Sequence, residues 1–222
     1  MSELLIVTCT KAKTDQEFSQ RPLYPSLVAL SKLNSNIKYH IFKNNNRGLS
    51  VRYNEILKDP QNSHKFILFV HDDVVIEDLF IYEKLTTSPY AITGLAGAKS
   101  FNQNAQHLAW HLAANNDFVG EVAHSKDTNT WTTVFGPTKS RALVIDGLFI
   151  CCNMNLLTNK NLYFDEDFSF HFYDISFCLR ANQHKATCGV LPIKVTHFGM
   201  GDSMLTNDWK VANEAFKKKY CK

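Results

Sequence analysis

Apolar and polar positions along this chain change their period several times, and each change marks an element. Leu4 to Thr8 is a short apolar run, while Ile37, Tyr39 and Ile41 alternate with Lys38, His40 and Phe42 in the manner of a second strand. A polar helical stretch separates the two. Phe66-Ile67-Leu68-Phe69-Val70 is continuously apolar, the pattern of a strand buried on both faces of a mostly parallel sheet, and it stops abruptly at His71-Asp72-Asp73. Before it, Val51, Tyr53, Ile56 and Leu57 recur at helical spacing, and Asp59-Pro60 ends the helix. A strand, helix, strand unit results.

The second half is less regular. Strands are predicted at Ala91 to Leu95 and Leu143 to Cys152, with a polar, Asn-rich, loop-rich stretch from about Asn102 to Lys139 between them. Phe172, Ile175, Cys178 and Leu179 share one face of a helix over Phe172 to Asn182, and Ala186 to His197 reads as a strand pair around Pro192. Val211, Ala212, Ala215 and Phe216 lie on one face of a terminal helix. Alternating elements followed by irregular ones predict an α/β fold: a three-layer α/β/α sandwich with a mostly parallel central sheet and a site at the carboxyl ends of its strands. The 222 residues carry no composition break or linker, so a single domain is expected.

Composition sharpens this picture by exclusion. Apolar residues make up 45% and charged residues 20%, ordinary globular values. Formal charge is +3, from 24 basic and 21 acidic residues, with no basic stripe in the body of the chain, which argues against a nucleic-acid partner. The start, Met1 to Val7, lacks a basic leader and cleavage site, and no window approaches the ~20 apolar residues of a membrane span. A cytoplasmic protein is therefore expected. The six cysteines form no CxxC or zinc spacing and read as free, buried thiols.

Two carboxylates directly after a buried strand, beside His71, are costly to hold together without positive charge. A divalent cation that bridges a carboxylate to substrate phosphates is one solution, with Asp73 as its first ligand; the other is that one Asp caps the turn and its neighbour is solvated. His197 can return a neutral imidazole to that cation or can be an ordinary core histidine. Asp174 begins an amphipathic helix, where its carboxylate either complements the helix dipole or takes a hydroxyl proton as a general base. Asp146-Gly147 is a turn signal as much as a hydrogen-bonding site for sugar hydroxyls. Trp110, His111 and Trp131 either stack on a sugar ring or pack in the core.

Together, Ile6-Val7-Thr8, Asn45-Asn46-Arg47-Gly48-Leu49-Ser50 with Asn54, Phe69-Val70-His71-Asp72-Asp73-Val74, Val144-Ile145-Asp146-Gly147, the run Phe172 to Arg180, and Val195-Thr196-His197 resemble glycosyltransferase family 2 with the GT-A fold. The resemblance lies in their order and separation, and it is strongest to the branch similar to the streptomycin-biosynthesis glycosyltransferase domain. It implies an inverting, metal-dependent transfer of a sugar from a nucleotide-diphosphate donor, a UDP-sugar by preference, to a hydroxyl of a glycan or lipid-linked acceptor, as in polysaccharide biosynthesis. Residues 1–100 would be the nucleotide-binding half, and 101–222 the acceptor-binding half with the terminal helix.

By the same resemblance, Thr8 and the Asn44 to Gly48 loop, with Asn45, would embrace the nucleotide, and Asn54 would help hold that loop. Asp72 would belong to the nucleotide-sugar site, Asp73 and His197 would bind Mn2+ or Mg2+, and Asp174 would be the base. Asp146 and Gly147 would face the acceptor, and Trp110, read from its aromatic ring and not from the resemblance, would join them there. His71 stands where the family's Asp-x-Asp motif has its first aspartate, so a degenerate protein that binds the sugar nucleotide without turnover is the alternative function. A nucleotidyltransferase ranks below both, because Cys9-Thr10-Lys11-Ala12-Lys13 contains no glycine to cradle phosphate. Lys217-Lys218-Lys219 at the terminal helix end can touch anionic lipid at the inner face of the membrane, or simply complement the helix dipole.

Overall fold

The computed structural model describes residues 3–157, 161–199 and 206–221. The chain opens with β1 (Leu4–Cys9), the short helix α1 (Asp15–Phe18), α2 (Leu23–Leu33), β2 (Ile37–Phe42), α3 (Leu49–Leu57) and β3 (Phe66–Val70). Next come β4 (Val74–Ile76), α4 (Ile81–Thr86), β5 (Ile92–Gly94) and β6 (Ala96–Ala98). A hairpin of β7 (Phe118–Lys126) and β8 (Asn129–Val134) follows, then β9 (Ser140–Ala142), β10 (Val144–Ile145), β11 (Phe149–Asn153) and the short α5 (Met154–Leu157). The chain closes with α6 (Tyr173–Gln183), β12 (Cys188–Val190), β13 (Val195–His197) and α7 (Asn207–Tyr220).

These strands make two sheets in a mixed α/β fold. The larger has the order β2-β1-β3-β11-β5-β12-β9. Its β2, β1, β3, β5 and β12 run one way, and only β11 and β9 run against them. The smaller has the order β10-β6-β7-β13-β4, with β8 added against β7. Every residue of β3 is buried, as its unbroken apolar run requires of a central strand. Around it, Tyr53 stacks on Phe69 at 4.3 Å and Phe164 on Phe177 at 4.0 Å, so α3, β3, the 164–168 segment and α6 share one aromatic core. Burying each such ring contributes about 2 kcal/mol, enough to fix the end of β3 relative to the start of α6.

Three expectations need correction. The stretch 102–139 is loop only as far as 117; the rest is largely the β7–β8 hairpin, turned at Asp127 in the left-handed region (φ 55°). Its polarity hid it, because β8 is an outer strand with little buried surface and so carries no apolar alternation. Leu143 to Cys152 is not one strand: Asp146-Gly147-Leu148 breaks it, sending β10 to the smaller sheet and β11 to the larger. Likewise β12 and β13 do not pair, since Leu191 to Lys194 carries the chain from one sheet to the other. All six cysteines are free, four of them fully buried. Among the described residues, no helix is long and apolar enough to cross a membrane.

Candidate active site

Both sheets present strand ends to one side of the molecule, and two cavities open there. One, of about 1120 Å³, lies over the ends of β1 and β3 and is lined mostly by residues with polar side chains from the 9–12, 17–21 and 45–49 segments. The other, of about 700 Å³, is lined by Trp110, Phe135, Phe172, Tyr173 and Trp209 together with Asp146 and Asp174. His71, Asp73 and Phe170 line both, so the residues that end β3 form the wall between them.

The carboxylates of that wall have separate fates. Asp72 is clamped by Arg21, whose Nε and Nη2 donate to its two oxygens at 2.8 and 2.9 Å, and by Thr10 Oγ1 at 2.6 Å. Asp73 faces the other way: its Oδ2 lies 3.4 Å from His197 Nε2, while its buried Oδ1 has no partner among the described residues. Burial pushes the Asp73 carboxyl up, but His197 and the nearby imidazole of His71 more than offset this and hold it below the usual range. Gly199 lies directly on this pair: a Cβ there would sit 2.6 Å from His197 Nε2 and 2.8 Å from Asp73 Oδ2. Burial pushes the His71 imidazole down, against the pull of Asp73 and Asp146. Because Tyr173 gives its hydroxyl proton to Gly147 O at 2.7 Å, the 3.0 Å contact from His71 Nε2 to Tyr173 Oη must be donated by the imidazole.

Across the aromatic cavity, Asp174 stands in the first turn of α6. Its Oδ1 accepts from Ile175 N at 2.8 Å and its Oδ2 from Gly147 N at 2.9 Å. Burial, and then the charge of Asp146, push its carboxyl up to about 7 in spite of those bonds. Gly147 can approach so closely only because it has no side chain; a Cβ there would collide with the Tyr173 hydroxyl. Asp146 turns its Oδ1 back to Leu148 N at 3.2 Å and still lines the cavity.

Several predicted site residues are placed differently. Thr8 is wholly buried and does not reach the polar cavity; Thr10, two residues on and on the same strand face, lines it instead. Asn44 has a left-handed backbone (φ 48°) and fastens its loop to Ala12 O at 2.8 Å without lining the cavity. Asn45 and Gly48 do line it, Asn45 bridging its own turn through Arg47 N and O. Asn54 does not hold that loop. It bonds Phe164 N and O at 2.8 and 2.9 Å and so ties α3 to the segment leading into α6. Trp110 lines the aromatic cavity, whereas Trp131 lies outside it, stacked on His124 at 5.6 Å. Gly201, which the sequence sets with Gly199 beside His197 as a flexible loop, lies outside the described residues.

Sequence pattern gave no sign of Arg21 or Trp209, which reach the two cavities from distant parts of the chain, nor of the place that Phe170 and Tyr173 take in the cavity walls. Trp209 arrives on α7, whose Asn213 Oδ1 also accepts from Leu108 N at 3.0 Å and pins the loop carrying Trp110. The terminal lysines are largely engaged: Lys219 pairs with Asp165 at 2.7 Å and Asp167 at 2.6 Å, and Lys217 with Glu214 at 3.1 Å.

An α/β chain with acidic residues at a central strand end, between a polar and an aromatic cavity, has the arrangement of a transferase that brings two substrates together. Residues 27–220 match the family model described as a glycosyltransferase-like family. The chain therefore belongs to that family and is a glycosyltransferase. The fold is similar to the crystal structure of the catalytic domain of Drosophila beta1,4-galactosyltransferase 7 in complex with xylobiose, with a TM-score of 0.54 at 11% identity over 96% of this chain and 80% of that one. It is also similar to A197 from STIV, with a TM-score of 0.52 at 15% identity over 89% and 86% of the two chains. No curated protein matches the sequence.

Proposed function

We propose that the protein is an inverting glycosyltransferase that takes a nucleotide-diphosphate sugar in the polar cavity and a glycan or lipid-linked hydroxyl acceptor in the aromatic one. The observation that carries this reading is Asp174. Its carboxyl is raised to about 7, fixed by two backbone N–H groups, and lines the same cavity as Asp73 and His197. A base with a pKa near the working pH is matched to taking a proton from a hydroxyl as that oxygen attacks. The acceptor oxygen would bond to the anomeric carbon on the face opposite the diphosphate while Asp174 receives its proton. The bond to the phosphate oxygen breaks, and the configuration inverts. Phe170 offers an exposed ring to a sugar, the buried Trp110 and Trp209 back the cavity wall, and Asp146 offers an acceptor for sugar hydroxyls. A galactosyltransferase of similar fold is described in complex with xylobiose, which suits a glycan acceptor.

Asp73 and His197 fit a divalent cation. The unpartnered buried Oδ1 of Asp73 is an acceptor in need of a partner, and an oxygen and imidazole pair suits Mn2+ better than the oxygen-loving Mg2+. No three His, Cys, Asp or Glu side chains converge closely enough to hold a metal ion by themselves among the described residues, so the donor diphosphate would complete the shell. When bound, the cation would neutralise charge on the departing diphosphate. UDP is the preferred nucleotide. The test is Asp174→Asn: transfer should fall by ~10²-fold or more with nucleotide-diphosphate affinity nearly unchanged, measured by product formation and by calorimetry. Full transfer in that variant would remove Asp174 from the chemistry.

A further inference from the structure

Arg21 has no role in the reading so far, yet it is the guanidinium that stands in the polar cavity against the acidic wall. Its partner Asp72 is only 15% exposed in its side chain, and both its oxygens are taken by Arg21 and Thr10. A carboxylate so satisfied gains little from trading these charge-assisted bonds for a substrate hydroxyl. Asp72 is therefore not a free acceptor for the nucleotide. It is the anchor of an arginine.

The arginine, by contrast, is unfinished. Two of its five N–H bonds go to Asp72, and the remaining three have no partner among the described residues, although the side chain is 43% exposed. The bidentate pair fixes the guanidinium plane, so its open edge is oriented before any ligand arrives. Its backbone is fixed as well: Arg21 O accepts from Tyr24 N at 3.1 Å, and Leu23 N, at the start of α2, donates to Asp72 O at 3.2 Å. The other arginine of the cavity, Arg47, meets through Nη1 the Glu55 carboxylate that it shares with Arg52, and lacks the two-point grip that fixes the plane of Arg21. A planar, immobilised guanidinium in the cavity that Asp73 also lines matches the geometry of phosphoryl oxygens, and a polyanion bound near the Asp73 carboxylate needs such a compensating cation.

We propose that Arg21 is a diphosphate-binding residue, its open N–H edge gripping the phosphoryl oxygens of the donor's leaving group, with Asp72 as the positioning residue that holds the guanidinium for that task. This rests on the donor reading above. The test is calorimetric titration of the full chain, with Mn2+ present, by UDP and uridine and by GDP and guanosine, for the wild type, Arg21→Ala, Arg21→Lys and Asp72→Asn. Arg21→Ala should weaken the diphosphate by about 10- to 100-fold and leave its nucleoside unchanged. Arg21→Lys, which keeps a charge and spares Asp72 an unpaired burial, should show a smaller loss of the same kind, as should Asp72→Asn. Nucleoside and diphosphate weakened by one common factor, or a diphosphate affinity unchanged in Arg21→Ala and Arg21→Lys, would overturn the assignment while leaving the transferase reading intact. A wild type that binds neither diphosphate would overturn both.

Discussion

The polar cavity and the aromatic cavity share a wall but are built by different means. The polar one is made by loops that leave adjacent parallel strands, β1, β2 and β3, and most of its groups lie within residues 9–73. Ion pairs and turn hydrogen bonds, such as Arg21 on Asp72 and Asn45 on Arg47, hold its shape. The aromatic one draws on β3, the loop before β7, β8, the 146–148 turn, α6 and α7, and packing holds its shape. A site made from neighbouring loops of one sheet survives change at any one loop better than a site made from six distant elements. Truncation should therefore damage the aromatic cavity more, and three substitutions test that contrast.

Trp209→Ala should have the largest effect. The indole is only 4% exposed, packs on Phe172 at 5.3 Å and His107 at 5.7 Å, and lines the cavity. Its removal should cost about 3 kcal/mol in urea unfolding. It should also raise the acceptor KM several-fold while nucleotide-diphosphate affinity in the polar cavity stays near the wild-type value. Equal weakening of both substrates would mean that the two cavities are one mechanical unit.

A smaller and opposite effect is expected from Asp174→Asn on stability. Folding raises this carboxyl to about 7 from its ordinary 3.8, so the folded state binds the extra proton between those values. The stability this group contributes is present at pH 4 and is lost as pH rises to 7; above 7 the buried charge weighs in full. Asn cannot ionise, so the variant should match the wild type near pH 4 and exceed it at pH 8 by about 2 kcal/mol, the full shift being discounted because the carboxylate partly faces the open cavity. Urea midpoints at the two pH values measure the difference. A variant less stable at pH 8 than at pH 4, relative to the wild type, would contradict the raised carboxyl. Lower activity with higher stability is the expected signature of a strained active-site group.

The contrast between the cavities also decides what could be read from sequence. Leu4 to Thr8 and Phe66 to Val70 stand within a residue of β1 and β3, because a strand buried in a parallel sheet must be apolar throughout and stops where the polar site begins, while Ile37 to Phe42 coincides with β2, an edge strand legible by its alternation. Asp73, His197, Asp146, Gly147, Trp110 and Asp174 were legible as residues, and the structure brings all of them to one cavity. What pattern could not supply is pairing across the chain. Arg21 and Asp72 lie 51 residues apart, Asn54 and Phe164 lie 110 apart, and neither spacing carries a local signal. Nor could it show that Thr8 is covered, since burial of one strand face depends on what the rest of the chain lays over it. The β7–β8 hairpin escaped for the complementary reason: an outer strand exposed on most of its length has no core to write a pattern into it.

The smallest effect tests how the two carboxylates of the aromatic cavity divide their labour. Asp174 is raised first by burial and only then by the charge of Asp146, while Gly147 N and Ile175 N pull it back down. Asp146→Asn removes the second cause and leaves the first and the two N–H bonds in place, so the acidic limb of kcat/KM should move to lower pH by about half a unit to one unit. The sign follows from the charge: without a neighbouring anion, Asp174 ionises more readily, and the base form persists further into acid. Because Asp146 also lines the cavity, the acceptor KM should rise in the same variant, but a lost hydroxyl contact lowers the whole profile without sliding its limb. A limb that stays in place as activity falls would make Asp146 an acceptor contact only, and Asp174 a base tuned by burial.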